Sequence, residues 1–90
     1  MKNTVEIYTK FGCPYCSRAK QLLSAKGQDF VEYDVTMGGP KKAEMNARAP
    51  NARTVPQIFI GDQYVGGSDD LHALDSAGKL DPMLAALGAE

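Results

Sequence analysis

Apolar and polar side chains alternate through Val5-Glu6-Ile7-Tyr8-Thr9, a run rich in β-branched and aromatic residues, and this predicts a first strand. The period then changes. Ala19, Leu22 and Leu23 recur at helical spacing in a segment running from about Pro14 to Ala25. Pro14 suits the first helical position, where its missing N–H would have had no partner, and Lys26-Gly27 supplies a glycine for the helix end. Residues 30–35 (Phe-Val-Glu-Tyr-Asp-Val) predict a second strand, Gly38-Gly39-Pro40 breaks the chain, and a weaker helix runs to about residue 49 with Met45 and Ala49 inward. Residues 56–60 predict a third strand, Gly61-Asp62 a tight turn, and Gln63-Tyr64-Val65-Gly66 a returning fourth strand. Ser68 reads as an N-cap, with Asp69 and Asp70 in the first turn of a helix that buries Leu71 and Leu74 and ends near Gly78. Asp81-Pro82 reads as the cap and first turn of a last helix carrying Leu84 and Leu87.

The expected order is therefore β-α-β-α-β-β-α-α, an α/β domain spanning residues 1–90. Its strand–helix–strand half requires parallel strands and a right-handed crossover, and its hairpin half adds antiparallel strands. At 90 residues the chain has room for one core. The formal net charge of −1 offers no basic field for nucleic acid. The start, Met1-Lys2-Asn3-Thr4, leads straight into a strand pattern without a long apolar stretch, so neither export signal nor membrane span is expected.

Cysteine changes the picture most. The chain has two, in Cys13-Pro14-Tyr15-Cys16, and one histidine, His72. A structural zinc site needs four ligands, and a c-type haem site needs histidine directly after the second cysteine, where Ser17 stands. No metal is expected. A bridge across so short a loop constrains the unfolded chain little, so structural stapling is a weak motive. Reversible dithiol chemistry in a reducing cytoplasm is the leading reading. Cys13 falls at the strand-to-helix junction, where free backbone N–H groups, the helix dipole and Lys10 all favour a thiolate. Cys16, one turn on, shares its face and is the more buried partner suited to resolving. Two inert buried thiols would be the bland alternative.

Beyond that pair, Tyr8-Thr9-Lys10, Thr54-Val55-Pro56-Gln57-Ile58-Phe59-Ile60 and Gly66-Gly67-Ser68-Asp69-Asp70-Leu71 stand in order around the Cys-Pro-Tyr-Cys site. Together they resemble the glutaredoxin family, in its dithiol class, over nearly the whole chain. The resemblance implies a thioredoxin fold with a mixed sheet of strand order 2-1-3-4. It implies a redox-active Cys13–Cys16 disulfide, Cys13 as nucleophile and Cys16 as resolving thiol, with Pro14 and Tyr15 in support and Pro56 cis. From the residues alone, an ordinary trans proline opening an edge strand is the favoured reading of Pro56, and only the resemblance reverses it.

The resemblance further implies glutathione as co-substrate, held by Lys10, Tyr15, Thr54, Val55, Gly67, Ser68, Asp69 and Asp70. Lys10 would meet the glycine carboxylate, Tyr15 would pack beside it, and Val55 would make strand-like main-chain bonds. The helix start at Ser68-Asp69 would offer N–H groups to the γ-glutamyl carboxylate, and an acid of the Asp69-Asp70 pair would meet the amino group. Helix capping alone would also explain those two aspartates, and a solvated surface would explain Lys10. Arg48, Arg53, Lys41 and Lys42 could supply extra charge near the glycine carboxylate, though most of them read as solvated surface, and His72 reads as a surface or supporting residue. Ala43 departs from the long polar residue often found early in the second helix of the family.

The implied activity is glutathione-dependent thiol–disulfide exchange. It reduces protein disulfides and glutathione mixed disulfides, and glutathione reductase and NADPH restore the glutathione. The protein is expected to act as a cytoplasmic monomer, without nucleic acid or membrane. Two rivals remain. A thioredoxin-like reductant is disfavoured by the absence of tryptophan and by the Gly-Gly-Ser-Asp-Asp segment. A glutathione-bridged iron–sulfur dimer is disfavoured by Pro14 and by the second cysteine.

Overall fold

The computed structural model describes residues 3–87; the chain start considered at Met1-Lys2 lies outside them. The elements are β1 (Val5–Thr9), α1 (Pro14–Ala25), β2 (Phe30–Asp34), α2 (Pro40–Arg48), β3 (Gln57–Ile60), β4 (Gln63–Gly66), α3 (Ser68–Ser76) and α4 (Leu80–Leu87). One four-stranded sheet has the order β2-β1-β3-β4. Strand β1 is parallel to β2 and antiparallel to β3, and β4 returns antiparallel to β3 with an irregularity between Ile58 and Phe59. The parallel pair needs the α1 crossover, whereas Gly61-Asp62 suffices for the hairpin. This is the thioredoxin fold.

Helices cover both faces of the sheet. On one, Val5, Ile7, Ile58 and Ile60 pack with Ala19 and Leu23 of α1, Leu71 of α3 and Leu80 of α4. On the other, Tyr8 and Phe59 pack with Val35 and with Met45 and Ala49 from the α2 side. Strand β1 is consequently buried at every position. Its alternation distinguishes two interior faces, and Glu6, only 2% exposed, lies inside. Its carboxylate meets Arg48 of α2 at 3.1 Å and accepts a hydrogen bond from Tyr33 at 2.9 Å. Arg48 also donates to the Tyr8 hydroxyl at 2.9 Å and stacks 3.7 Å from the Phe59 ring centre. Arg48 is thus an interior clamp on α2, a correction to its reading as solvated surface. The short apolar content of α2 explains it: a charged residue supplies the contact that another apolar one would elsewhere.

Boundaries also move, β2 ending at Asp34 among them. Strand β3 begins at Gln57, because Pro56 has no N–H to give the ladder. Helix α3 is capped by Gly67, with Ser68 its first residue, and the cap is closed from inside the helix: Asp70 accepts the Gly67 N–H at 3.0 Å. Helix α4 starts at Leu80, ahead of the expected Asp81 cap, because Leu80 is fully buried in the core. Pro82 still falls in the first turn, where no N–H is required. Lys26, at the end of α1, joins these helices through Asp75 at 2.7 Å and Asp81 at 3.0 Å.

Candidate active site

The topology brings separate segments to one end of the sheet. The chain leaves β1 there towards Cys13, enters β3 there through Thr54-Val55-Pro56, and leaves β4 there through Gly66-Gly67 into α3. The amino ends of α1 and α3 therefore share that edge.

Cys13 is the N-cap of α1. Its backbone is extended, its N–H reaches Lys10 O at 3.3 Å, and its sulfur accepts the Cys16 N–H at 3.3 Å. A sulfur thus occupies the place where serine or aspartate ordinarily takes an orphan N–H. From the opposite side the Cys13 thiol donates to Val55 O at 3.7 Å. Cys13 is half-buried, and both cysteines are free thiols. Cys16 lies in the core at 2% exposure. Burial first, and then its hydrogen bond to Cys13, push its thiol up to about 12, so it holds its proton at neutral pH.

The Val55–Pro56 bond is cis. Val55 is half-buried beside Cys13, and a side chain at Gly67 would come within 3.5 Å of Pro56 O. These contacts join Cys13, Thr54-Val55-Pro56 and Gly67-Ser68-Asp69-Asp70 into one rim. Gly66 has φ 117, and a Cβ there would meet Asp70 Oδ2 at 2.3 Å, so this close approach needs glycine. Asp69 and Asp70 are exposed at the first turn, Asp70 with one oxygen engaged by the cap. Ser68 is buried and its hydroxyl lies 3.4 Å from His72 Nδ1, while that ring nitrogen donates to Ser68 O at 2.8 Å. Lys10, Tyr15 and Thr54 are exposed around the rim. Lys41 is drawn away by Glu44 at 3.0 Å and sits over the Tyr33 ring. Among the described residues, no group of three or more His, Cys, Asp or Glu is placed to hold a metal ion.

A search of family profiles matches Glutaredoxin to residues 5–65. The chain belongs to the glutaredoxin family. Glutaredoxin 3 of Escherichia coli K12 is 56% identical over 80 residues, which is 89% of this chain and 95% of that one. The glutaredoxin of Pseudomonas aeruginosa is 56% identical over 82 residues, covering 91% and 96%. Among solved structures, the buckwheat glutaredoxin–glutathione complex superposes with a TM-score of 0.83 at 32% identity, covering 94% of this chain and 79% of that chain. This glutaredoxin is a glutathione-dependent thiol–disulfide oxidoreductase.

Its supporting residues include several that sequence reading missed. Tyr64 of β4 donates to Gln57 Oε1, and Gln57 Nε2 donates to Thr54 O at 2.8 Å, a relay that ties the sheet edge to the segment facing Cys13. Glu32 accepts from Thr9 Oγ1 at 2.7 Å and from Lys20 Nζ at 3.0 Å. Those bonds, Thr9's foremost, hold the Glu32 carboxyl below its usual range. Polar residues at buried strand positions, Thr9 and Gln57, were the available signal.

Proposed function

We propose that Cys13 is the attacking thiolate of this glutaredoxin and Cys16 its resolving thiol. The unequal setting of the two sulfurs carries the reading. One caps a helix at the half-open rim, and the other is buried and held protonated. Helix N–H groups favour negative charge on the first, while burial favours the neutral form of the second.

With a glutathionylated protein, Cys13 S⁻ attacks the glutathione sulfur, and the protein sulfur leaves with the electron pair and takes a proton. A second glutathione thiolate then attacks the Cys13–glutathione bond, regenerating Cys13 S⁻ and forming oxidised glutathione. With a protein disulfide, Cys13 S⁻ instead bonds one protein sulfur, and the other leaves with the electron pair and takes a proton. Cys16 loses its proton, attacks Cys13, and expels that sulfur, leaving Cys13–Cys16 oxidised. Two glutathiones reduce this disulfide in turn, and glutathione reductase with NADPH restores them.

Glutathione in this reading lies between Lys10, Tyr15, Thr54 and Val55 on one side and Gly67, Ser68, Asp69 and Asp70 on the other. The Cys13 thiol donates to Val55 O only while it keeps its hydrogen. Ionisation frees that carbonyl to accept the cysteinyl N–H of the tripeptide. The α3 terminus offers N–H groups to the γ-glutamyl carboxylate. The protein works as a cytoplasmic monomer in which residues 1–90 act as one unit.

The test is a glutathione-reductase-coupled assay with a small glutathione mixed disulfide and with a protein disulfide. Cys13→Ser is expected to lose both activities, and Cys16→Ser to lose only the second. Loss of both in Cys16→Ser would overturn the division of roles. Turnover by thioredoxin reductase, with none in the glutathione assay, would overturn the assignment itself.

A further inference from the structure

Turn tips are ordinarily polar. Two tips at the Cys13 end of the sheet are not. Phe11 stands at the tip before Cys13 and is 89% exposed, and Met37 stands at the tip after β2 and is 95% exposed. Neither exposure comes from a loose loop. Phe11 N donates to Thr36 Oγ1 at 2.7 Å, directly joining the two turns, and Thr36 N donates to Asp34 Oδ1 at 2.8 Å. Backbone bonds Val35 N to Thr9 O at 2.8 Å, Cys13 N to Lys10 O at 3.3 Å and Gly38 N to Val35 O at 3.1 Å close the rest. Tyr15, 54% exposed, lies on the far side of Cys13 in the chain.

Strand order decides what this patch faces. In β2-β1-β3-β4, Phe11 and Met37 extend from β1 and β2, whereas Val55 and Gly67-Ser68-Asp69-Asp70 extend from the β3 and β4 side. Glutathione held by Val55 and Gly67-Ser68-Asp69-Asp70, with Lys10 and Tyr15 at its edge, uses neither Phe11 nor Met37. In-line exchange sets the leaving protein sulfur beyond the glutathione sulfur, so the substrate protein must rest on whatever surface remains. We propose that Phe11 and Met37 form a docking surface for protein substrates, specific for apolar side chains flanking the glutathionylated cysteine. This rests on the glutathione site argued above and adds to it the second half of the substrate.

Two synthetic peptides glutathionylated on a central cysteine, one with leucine on both sides and one with serine, provide the test. The glutathione mixed disulfide of 2-mercaptoethanol serves as the reference substrate. Burying one large apolar side chain is worth a factor of about ten or more. The wild type is expected to favour the leucine peptide in kcat/KM by about tenfold. Phe11→Ser/Met37→Ser is expected to erase that preference with the reference rate unchanged, while Phe11→Leu/Met37→Leu keeps it. The proposal is overturned if the wild type does not discriminate, if the serine variant still does, or if both peptides and the reference fall together. It is also overturned if sedimentation shows a wild-type dimer that the serine variant dissolves, because the occupant is then a second copy. Failure of the wild type on the reference substrate would instead defeat the glutathione site itself.

Discussion

Val55 O accepts the thiol of Cys13 at 3.7 Å across 42 residues of chain, while on its other side the same sulfur accepts the N–H of Cys16 at 3.3 Å. One atom is thus the helix cap and, in the proposed mechanism, the reactive group. Losing its proton removes the first bond and strengthens the second, since a charged acceptor draws an N–H more strongly.

Cap and nucleophile separate under substitution. Cys13→Ser keeps an N-cap oxygen and should unfold in urea within about 0.5 kcal/mol of wild type, whereas Cys13→Ala should lose about 1 kcal/mol. Both should be inactive in the coupled assay. A Cys13→Ala protein as stable as the serine variant would show that the sulfur contributes nothing as a cap.

The protonated state of Cys16 predicts a pH dependence. Its folded value of about 12 lies above the ordinary 9.0. The folded state therefore holds the proton more tightly than the unfolded chain does. That contribution to stability is complete below pH 9 and is lost as pH rises from there through about 12. The reduced protein should show a falling Tm over that alkaline range. Iodoacetamide at pH 8 should label only Cys13 in the folded protein and both cysteines in denaturant, as read by peptide mass mapping.

The Tyr64–Gln57–Thr54 relay predicts an effect on binding from outside the rim. Gln57→Leu strands the Thr54 carbonyl and the Tyr64 hydroxyl and should cost about 1–3 kcal/mol of stability, with KM for the mixed disulfide raised more than kcat is lowered. Tyr64→Phe removes one bond and should cost about 1 kcal/mol, with a smaller rise in KM. Unchanged KM in Gln57→Leu would detach the relay from the site.

Gly66→Ala combines a positive φ with a Cβ pressed into the Asp70 carboxylate. It should destabilise the fold by about 1–3 kcal/mol and, by displacing the oxygen that caps Gly67, weaken glutathione binding measured by calorimetry. Equal affinity in the variant would place that cap outside the ligand's reach.

Glu6 and Arg48 form an interior pair whose two halves are not equivalent to their sum. Arg48→Ala removes the Arg48 cation from the buried Glu6 carboxylate and should cost about 3 kcal/mol in urea unfolding. The apolar pair Glu6→Leu/Arg48→Met should recover most of that loss, because the buried carboxylate is removed together with its Arg48 partner.

The element order, the turns and the dithiol were legible because each depends on residues close in the chain. Hydrophobic period separates strand from helix, Gly61-Asp62 makes the hairpin, and Cys13-Pro14-Tyr15-Cys16 carries its own spacing. Boundaries moved where burial outweighed a local cap, at Leu80, where a different residue supplied it, as Asp70 does for Gly67, and where Pro56 had no N–H for the ladder. Arg48 was misread for a related reason. A charged residue on a polar helix looks solvated until the helix is laid over Glu6 and Phe59.

The sequence alone therefore determined which chemical groups stand at which spacing: a thiol at a strand-to-helix junction, a second thiol one turn on, and a glycine-rich approach to another helix. Tertiary structure decided what surrounds them. It set Val55 against Cys13, buried Cys16, threaded Tyr64 and Gln57 behind Thr54, and left Phe11 and Met37 outside. Those outcomes depend on which faces two layers of helices cover, and contacts between residues distant in the chain arise only once the sheet order has brought their strands to the same end.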